Sequence, residues 1–543
     1  MTTGFFKVPP AKNELPKSYA PGTPEKKRLK QYLNEAYKEV QEIPMIIDGQ
    51  EVRSGEEHYY YPPHDIHTPI AKYYWGGRNE LNQAIDAALK ARKKWMEMPW
   101  EHRVSIFLKA ADLFTGKYRH VIHGATMMGQ SKNPFQCEIE AVCELADFLR
   151  FNSEFASRIY QDQPLSVDGV WNRVDYRPLE GFVTAITPFN FTAISLNLPT
   201  APAIMGNTVV WKPSDKQIPS AKVIMDVLRE AGLPDGVINM VFAPGQDCAE
   251  TCFSHPEFAG VHFTGSTKVF QSMWKTLGEN VPNLRHYPRI VGETGGKDFI
   301  IAHKTADVDA LVANTVRGAF EYQGQKCSAV SRAYIPTNIW EEYKSKLIEE
   351  VNSIKVGPPE DFTNFVNAVI GEDAFDKIAG YIDRAKESSE CEIIAGGNYD
   401  KSQGYFIDPT VIVTTNPKYE SMVEEIFGPV VTIYVYDENM FEETLELLDS
   451  TSNYGLTGAV FSQDREAIDL ASRKLVFAAG NFYINDKPTG SIVGQQPFGG
   501  ARGSGTNDKA GSIINLYRWV NARAIKETSE PVTDYRYPFL LEE

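Results

Sequence analysis

The spacing of apolar residues changes along the chain, and each change predicts a different kind of element. Residues 79–160 read as mostly helical. In "CEIEAVCELADFLRF", Ile139, Val142, Cys143, Ala146 and Leu149 recur at helical spacing. Glu140, Glu144 and Asp147 fall on the other face, which on pattern alone predicts solvated carboxylates. From about residue 180, short apolar strands alternate with helices: "GFVTAIT", "NTVVWKPS", "SAKVIMDVLREAG", "GVINMVF", "GVHFTGS", "VFQSMWKTLG" and "PRIVGETGGK". Gly232 and Pro234 end the helix through "SAKVIMDVLREAG". Such alternation predicts an α/β fold with a parallel sheet and helical crossovers. A second alternating region runs from about 300 to 480. The polar, alternating segment 160–177 fits a protruding hairpin, and so does the tail after 508. The first 40 or so residues are rich in Pro and Lys, an extended arm leading into a helix.

Ligands of parallel sheets sit beyond the carboxyl ends of the strands. "WKPSD", "FTGS" and "GETGG" all fall at such ends. The dinucleotide fingerprint GxGxxG is absent, and the glycines of "GGARGSG" have other spacings. A nucleotide site here therefore needs a variant layout. "FTGS" is either a plain strand-to-helix turn or a helix start offering N–H groups to a diphosphate.

Four further segments carry chemistry: "TPFNF" with Asn190, "GETGGK" with Glu293, "GQKCSA" with Cys327 and "EEIFGP" with Glu425. Singly, each has a bland reading: a satisfied turn, a helix cap, a small buried hydrophobe or a solvated acid. In this order, with "WKPS" and "FTGS" between them, they point together to one site.

Composition narrows the classes. The chain has 543 residues, 42% hydrophobic and 23% charged. At about 100–200 residues per domain, that length predicts roughly two to four domains. No apolar run reaches the roughly 18–20 residues of a membrane span. The net charge of -16 disfavours nucleic acid and anionic membrane as partners. The six cysteines contain no CxxC, no nearby His pair completes a zinc pattern, and no metal site is expected. So few cysteines in so long a chain predict a reducing compartment. The N-terminal stretch lacks an apolar core and has no arginine before Arg28, which favours the cytoplasm. A trimmed protein of the mitochondrial matrix would look the same.

Together these motifs resemble the aldehyde dehydrogenase superfamily, over residues 45 to 525. "TPFNFTAI", "GQKCSA" and above all "NDKPTGSIVGQQPFGGARGSGTNDKAG" (485–511) resemble its glutamate-semialdehyde branch, the 1-pyrroline-5-carboxylate dehydrogenases. The resemblance implies a Rossmann-like NAD-binding domain (1–159 and 178–298, with an arm at 1–40) and an α/β catalytic domain (299–485). It also implies an anchor-loop segment (486–507) and a small β oligomerisation flap (160–177 and 508–543). It implies a homodimer or larger homo-oligomer.

Activity and roles follow from the same resemblance. NAD would oxidise L-glutamate 5-semialdehyde to L-glutamate, the second step of proline catabolism. Cys327 is then the nucleophile that carries a thioester, Asn190 an oxyanion donor and Glu293 the general base. A free thiol, with a pKa of about 8.5, is mostly protonated near neutrality, and a nearby cation raises the thiolate fraction. Lys326 is adjacent. For the cofactor, Lys212 and Ser214 fall at the adenosine ribose and Gly265 and Ser266 at the diphosphate. Glu425 falls at the nicotinamide ribose, with Thr187 and Phe427 also in contact. Asp215, near the adenosine ribose, disfavours a 2′-phosphate and so favours NAD over NADP. For the substrate, Gly490 and Ser491 form the anchor loop and Ser328 adds a hydroxyl. Phe191 and Phe498 clamp the aliphatic part, and Glu144 and Lys326 line the pocket. Asn485 and Lys487 receive no role. Two other readings stand beside this one. The substrate could be a semialdehyde without an α-amino group, such as succinate semialdehyde. Alternatively the chain is a binding protein on a retired enzyme scaffold, which should lack Cys327, Glu293 or Asn190.

Overall fold

Strands buried on both faces organise the chain. The computed structural model describes residue 4 and residues 6–541. In it, "FVTAI" at Phe182–Ile186 is buried throughout, and Phe258–Thr264 nearly so. These strands lie at the centre of a seven-stranded sheet, flanked by Arg289–Glu293 on one side and Thr208–Lys212 and Ile238–Met240 on the other. All five run parallel. Met45–Ile47 and Gln50–Val52 complete the sheet as antiparallel edge strands. The helix Ile218–Ala231 ends at Gly232, whose φ of 105° is the left-handed C-cap that its glycine allows.

The second sheet also has seven strands, in the order Cys391–Ala395, Thr410–Thr414, Val430–Tyr436, Val330–Pro336, Asp298–Ala302, Thr457–Phe461, Asn481–Ile484. Only the first pair is antiparallel. Along Asp298–Ala302, Phe299 and Ile301 enter one hydrophobic cluster and Ile300 and Ala302 another. That period of two is what helices on both faces of a parallel sheet require. The sheets are joined through "GETGGKD", which leaves the first at Glu293 and enters the second at Asp298.

Two expectations from the pattern are corrected. The helix around "CEIEAVCELADFLRF" forms, but it runs from Pro134 to Gln161 with a π-helical turn at Glu138–Glu144. The wider turn shifts the helix register, so the acidic face is not solvated. Glu140 and Asp147 are each only 2% exposed. The segment 160–177 turns back on itself, with a bridge at Val167↔Val170 and Gln163 bonded to the Val174 backbone, but most of its strand pairing lies elsewhere. Its strand Val170–Pro178 pairs antiparallel with Val520–Thr528 of the tail, residue for residue from Val170↔Thr528 to Pro178↔Val520. Alternation within each strand was legible; a partner some 350 residues away was not. Among the described residues, no helix is long and apolar enough to cross a membrane, and no cluster of His, Cys, Asp and Glu is suited to a metal ion.

Candidate active site

The nucleophile loop is built under constraint. After the helix Val308–Phe320, Tyr322, Gln323 and Gly324 take φ of 50°, 55° and 65° in succession. Left-handed non-glycine residues cost on the order of 1–3 kcal/mol each, so the surroundings must hold them. Gln323 Nε2 donates to the carbonyls of Ser131 and Ala368, at 2.9 and 2.8 Å. Gln325 Oε1 accepts from Ile370 N at 2.8 Å. Asn190 Nδ2 donates to the Gln325 carbonyl at 3.1 Å. Gly324 has to be glycine, since a Cβ there would lie 2.1 Å from the Gly428 carbonyl.

This loop delivers Cys327, half-buried, to a cavity of about 390 Å³. Burial pushes its thiol well up, and the carboxylates of Asp298, Glu425 and Glu293 add to the shift. The thiol is therefore protonated at rest. Lys326 does not offset this, because its buried ammonium pairs with Glu321 Oε2 at 2.9 Å. The sequence placed a cation beside the thiol; the fold commits it elsewhere.

Glu293 ends its strand on the same cavity. Burial pushes its carboxyl well up. Gly500 N donates to its Oε2 at 3.2 Å, and a Cβ at Gly499 would lie 2.9 Å from its Oε1. The two glycines that follow Glu293 also have steric reasons. A Cβ on Gly295 would lie 2.3 Å from the Glu425 carboxylate, and one on Gly296 would lie 2.1 Å from the Cys327 carbonyl. The connector between the sheets thus runs against both residues.

All the residues expected at the substrate face this cavity: Glu144, Phe191, Lys326, Ser328, Gly490, Ser491 and Phe498. Asn190 is buried behind its wall. Ser328 Oγ and Thr489 Oγ1 are 2.8 Å apart, which ties the nucleophile loop to the 490 loop. Glu144 is pushed up to about 8 by burial and then by Glu140, so it is neutral at pH 7.

The residues expected at the cofactor lie along the carboxyl edge of the first sheet. In register, Thr264 pairs with Glu293, Phe263 with Ile186, and Ile186 with Lys212. Thr187, Lys212 and Gly265 therefore sit beside one another, just beyond adjacent strands. Ser214 Oγ accepts from Lys216 N, and Ser266 caps the helix Thr267–Asn280. The Gly265 N–H donates to the Glu293 carbonyl at 3.2 Å, so what this turn offers an anion is the helix start. The Thr187 hydroxyl lies 2.9 Å from Ser195 Oγ and accepts from Trp211 Nε1 at 3.1 Å. Glu425 and Phe427 come from the second sheet. Glu425 Oε1 accepts from Gly296 N at 2.9 Å, and Phe427 stands edge-on to Phe189. Among the described residues, the Lys212 ammonium has no hydrogen-bond or ion-pair partner. A free cation and a helix start on the first sheet's edge, with a carboxylate brought from the side of the second, are the chemistry a dinucleotide needs.

Several residues of the site carried no sequence signal. Buried Lys132 pairs with Glu140 and donates to the Asn190 carbonyl at 2.6 Å. Its ammonium also lies over the rings of Phe191 and Tyr322. Lys509 donates to the carbonyls of Gly480 and Gly499, at 2.8 and 2.9 Å, near Glu293. The Lys487 ammonium would be 3.2 Å from a Cβ on Gly490, which places a cation at the anchor loop. Asn485 is structural, exchanging two hydrogen bonds with the Ser462 backbone.

A parallel sheet meeting a second one at a half-buried cysteine, a carboxylate and an amide defines a class. The chain belongs to the aldehyde dehydrogenase family, which it matches over residues 50–525. Its relatives narrow the class further. The delta-1-pyrroline-5-carboxylate dehydrogenase of Agaricus bisporus is 50% identical, over 98% of each chain. The mitochondrial enzyme of that name from Homo sapiens is 46% identical, over 97% of this chain and 94% of its own. The crystal structure of the delta-pyrroline-5-carboxylate dehydrogenase from Mycobacterium tuberculosis bound with NAD matches with a TM-score of 0.96 at 46% identity, covering both chains in full.

Proposed function

We propose that this chain oxidises L-glutamate 5-semialdehyde, the open form of 1-pyrroline-5-carboxylate, to L-glutamate with NAD, in proline catabolism. The observation that carries this reading is one cavity walled by Cys327, Glu293 and the loop Thr489–Ser491. Cys327 Sγ, once deprotonated, adds to the aldehyde carbon. The oxyanion that forms is held by the Cys327 N–H and by Asn190. The Asn190 amide has two hydrogens, and only one is taken, by Gln325. Bound NAD supplies the hydride acceptor, and loss of hydride leaves a thioester on Cys327. Glu293 takes a proton from water, which cleaves the thioester and frees glutamate and the thiol.

Successive N–H groups of Gly490 and Ser491, with the Ser328 hydroxyl, hold the α-carboxylate. Phe191 and Phe498 pack on the methylene chain. Glu144 faces the α-ammonium, whose charge favours its ionised form. For the cofactor, Lys212 and Ser214 hold the adenosine ribose, and Gly265 and Ser266 line the diphosphate. Glu425 takes the nicotinamide ribose, and Thr187 and Phe427 complete the contact. Exposed Leu165, Trp171, Val532, Tyr535 and Phe539 lie on or beside the ribbon and tail, which supports a homo-oligomer built through them. The human relative's name places that protein in the mitochondrion; this chain works there or in the cytoplasm.

The test is substrate preference. The kcat/KM for glutamate 5-semialdehyde should exceed that for succinate semialdehyde by at least about tenfold, the worth of one well-used polar contact. The reverse order would discard the reading of the anchor loop.

A further inference from the structure

The N-terminal arm, residues 6–20, has neither helix nor strand, yet it is fastened at many points. The helix Pro134–Gln161 offers it a track of carboxylates. Asp147 accepts from Glu14 N and Asn13 Nδ2, both at 2.8 Å. Glu138 accepts from Lys17 N at 2.8 Å and from the Tyr19 hydroxyl at 2.9 Å. Glu154 accepts from Ala11 N at 2.6 Å. In the other direction, Glu14 receives Arg119 and Arg150, each at 2.9 Å. An irregular segment held by buried charges is fixed as firmly as an element of the fold.

This arm also reaches the substrate cavity. Asn13, Glu14, Leu15 and Pro16 are part of its lining. Asn13 is the point of contact with the anchor-loop segment. Its Nδ2 donates to the Val493 carbonyl at 2.8 Å, and its Oδ1 accepts from Gln495 Nε2 at 3.0 Å. One amide side chain thus ties the helix, through Asp147, to Val493 and Gln495, shortly after Ser491. Gly490 and Gly494 take left-handed φ of 90° and 80°, and Gly494 lies between the two residues that Asn13 grips. The loop closes one turn on itself, where the Ile492 carbonyl accepts from Gln495 N and Gln496 N, both at 3.0 Å, and Asn13 ties that turn to the helix.

We propose that Asn13 is a positioning residue for the anchor loop, and that the arm is a wall of the substrate site which sets its preference for an aldehyde bearing an α-carboxylate. This rests on the reading of Gly490 and Ser491 as carboxylate donors. Asn13 touches no reacting atom. It acts by holding the loop's N–H groups where the substrate tail arrives, so that binding does not have to order them.

The test compares full-length wild type with Asn13→Ala and Gln495→Ala, assayed with pyrroline-5-carboxylate and with propanal, which has no carboxylate to anchor. Hydrogen exchange of amides 490–496 is followed in parallel. Asn13→Ala should raise KM for pyrroline-5-carboxylate about tenfold, as expected for two lost hydrogen bonds. Its kcat at saturation should stay within about twofold, since no transition-state contact is removed. The kcat/KM for propanal should change far less, and exchange at 490–496 should speed up. Gln495→Ala should move the same quantities by less. An unchanged KM and exchange rate, or an equal loss toward both aldehydes, would overturn the proposal. Failure of the wild type to turn over pyrroline-5-carboxylate would instead refute the underlying substrate assignment.

Discussion

Cys327 and Glu293 are both held in their uncharged forms by burial, yet in the proposed reaction each acts in its charged form. The sign of the pH dependence follows. Both groups have to lose a proton, and both have raised pKa values, so kcat/KM and kcat should climb as pH rises above neutrality. A steady-state profile from pH 6 to 10 checks this, and an acidic optimum would contradict it. The two roles separate in Glu293→Gln. Hydride transfer precedes water attack, so the first turnover should still release about one NADH per site as a burst. The steady rate should then fall by about 10²–10⁴, the usual contribution of a general base. Stopped-flow absorbance distinguishes that burst from a uniformly slow reaction.

Among the elements, the helix Pro134–Gln161 shows best what the sequence concealed. Its apolar stripe was readable, because burial against the core imposes period 3.6. Its acidic face was misread, for two reasons. A π turn breaks the assumed period, and carboxylates covered by an irregular arm are spelled the same way as carboxylates covered by water. The strands of both sheets were readable as short apolar runs between turn residues. Cys327, Glu293 and Asn190 stood out in the sequence because their segments are distinctive, and the fold brings Cys327 and Glu293 to one cavity. Lys132, Lys509 and Asn13 were not, since each gains its role from partners far away in the chain. Buried charge makes this helix a test of stability. Burial pushes the Glu138 carboxyl up, but hydrogen bonds from His123, Arg119 and Lys17 N more than offset it and hold it near 2. Its folded pKa is thus below the ordinary 4.5. Glu138 therefore contributes stability above pH 4.5, which is lost as pH falls toward 2. Glu138→Gln leaves the buried Arg119 with Glu14 as its one carboxylate partner. It should cost about 1.5–3 kcal/mol, the worth of a hydrogen bond to a charged group, read as a drop in denaturation midpoint, and should flatten the acid limb of the stability curve.

On the scale of the whole molecule, the two sheets divide the work. In the proposed function the first lays out the cofactor edge and the second brings the nucleophile, and the connector Glu293–Asp298 passes between them with glycines where side chains would collide. The ribbon of Val170–Pro178 and Val520–Thr528 meets the first core at Val520 and Tyr176, and the rest of it is partly or fully exposed. Leu165 and Val532 beside it are 91% and 87% exposed, apolar surface that a lone chain would present to water. Light scattering should give a mass of at least two chains, and Leu165→Asp with Val532→Asp should lower it. A monomeric wild type would contradict the assembly.

The most direct measurement is NADH absorbance on mixing the protein with NAD and pyrroline-5-carboxylate, with Cys327→Ala alongside. NADH formation by the wild type that vanishes in the variant is the expected result. Wild-type turnover that survives the loss of Cys327, or none at all with this substrate, would contradict thioester oxidation of glutamate semialdehyde at this site.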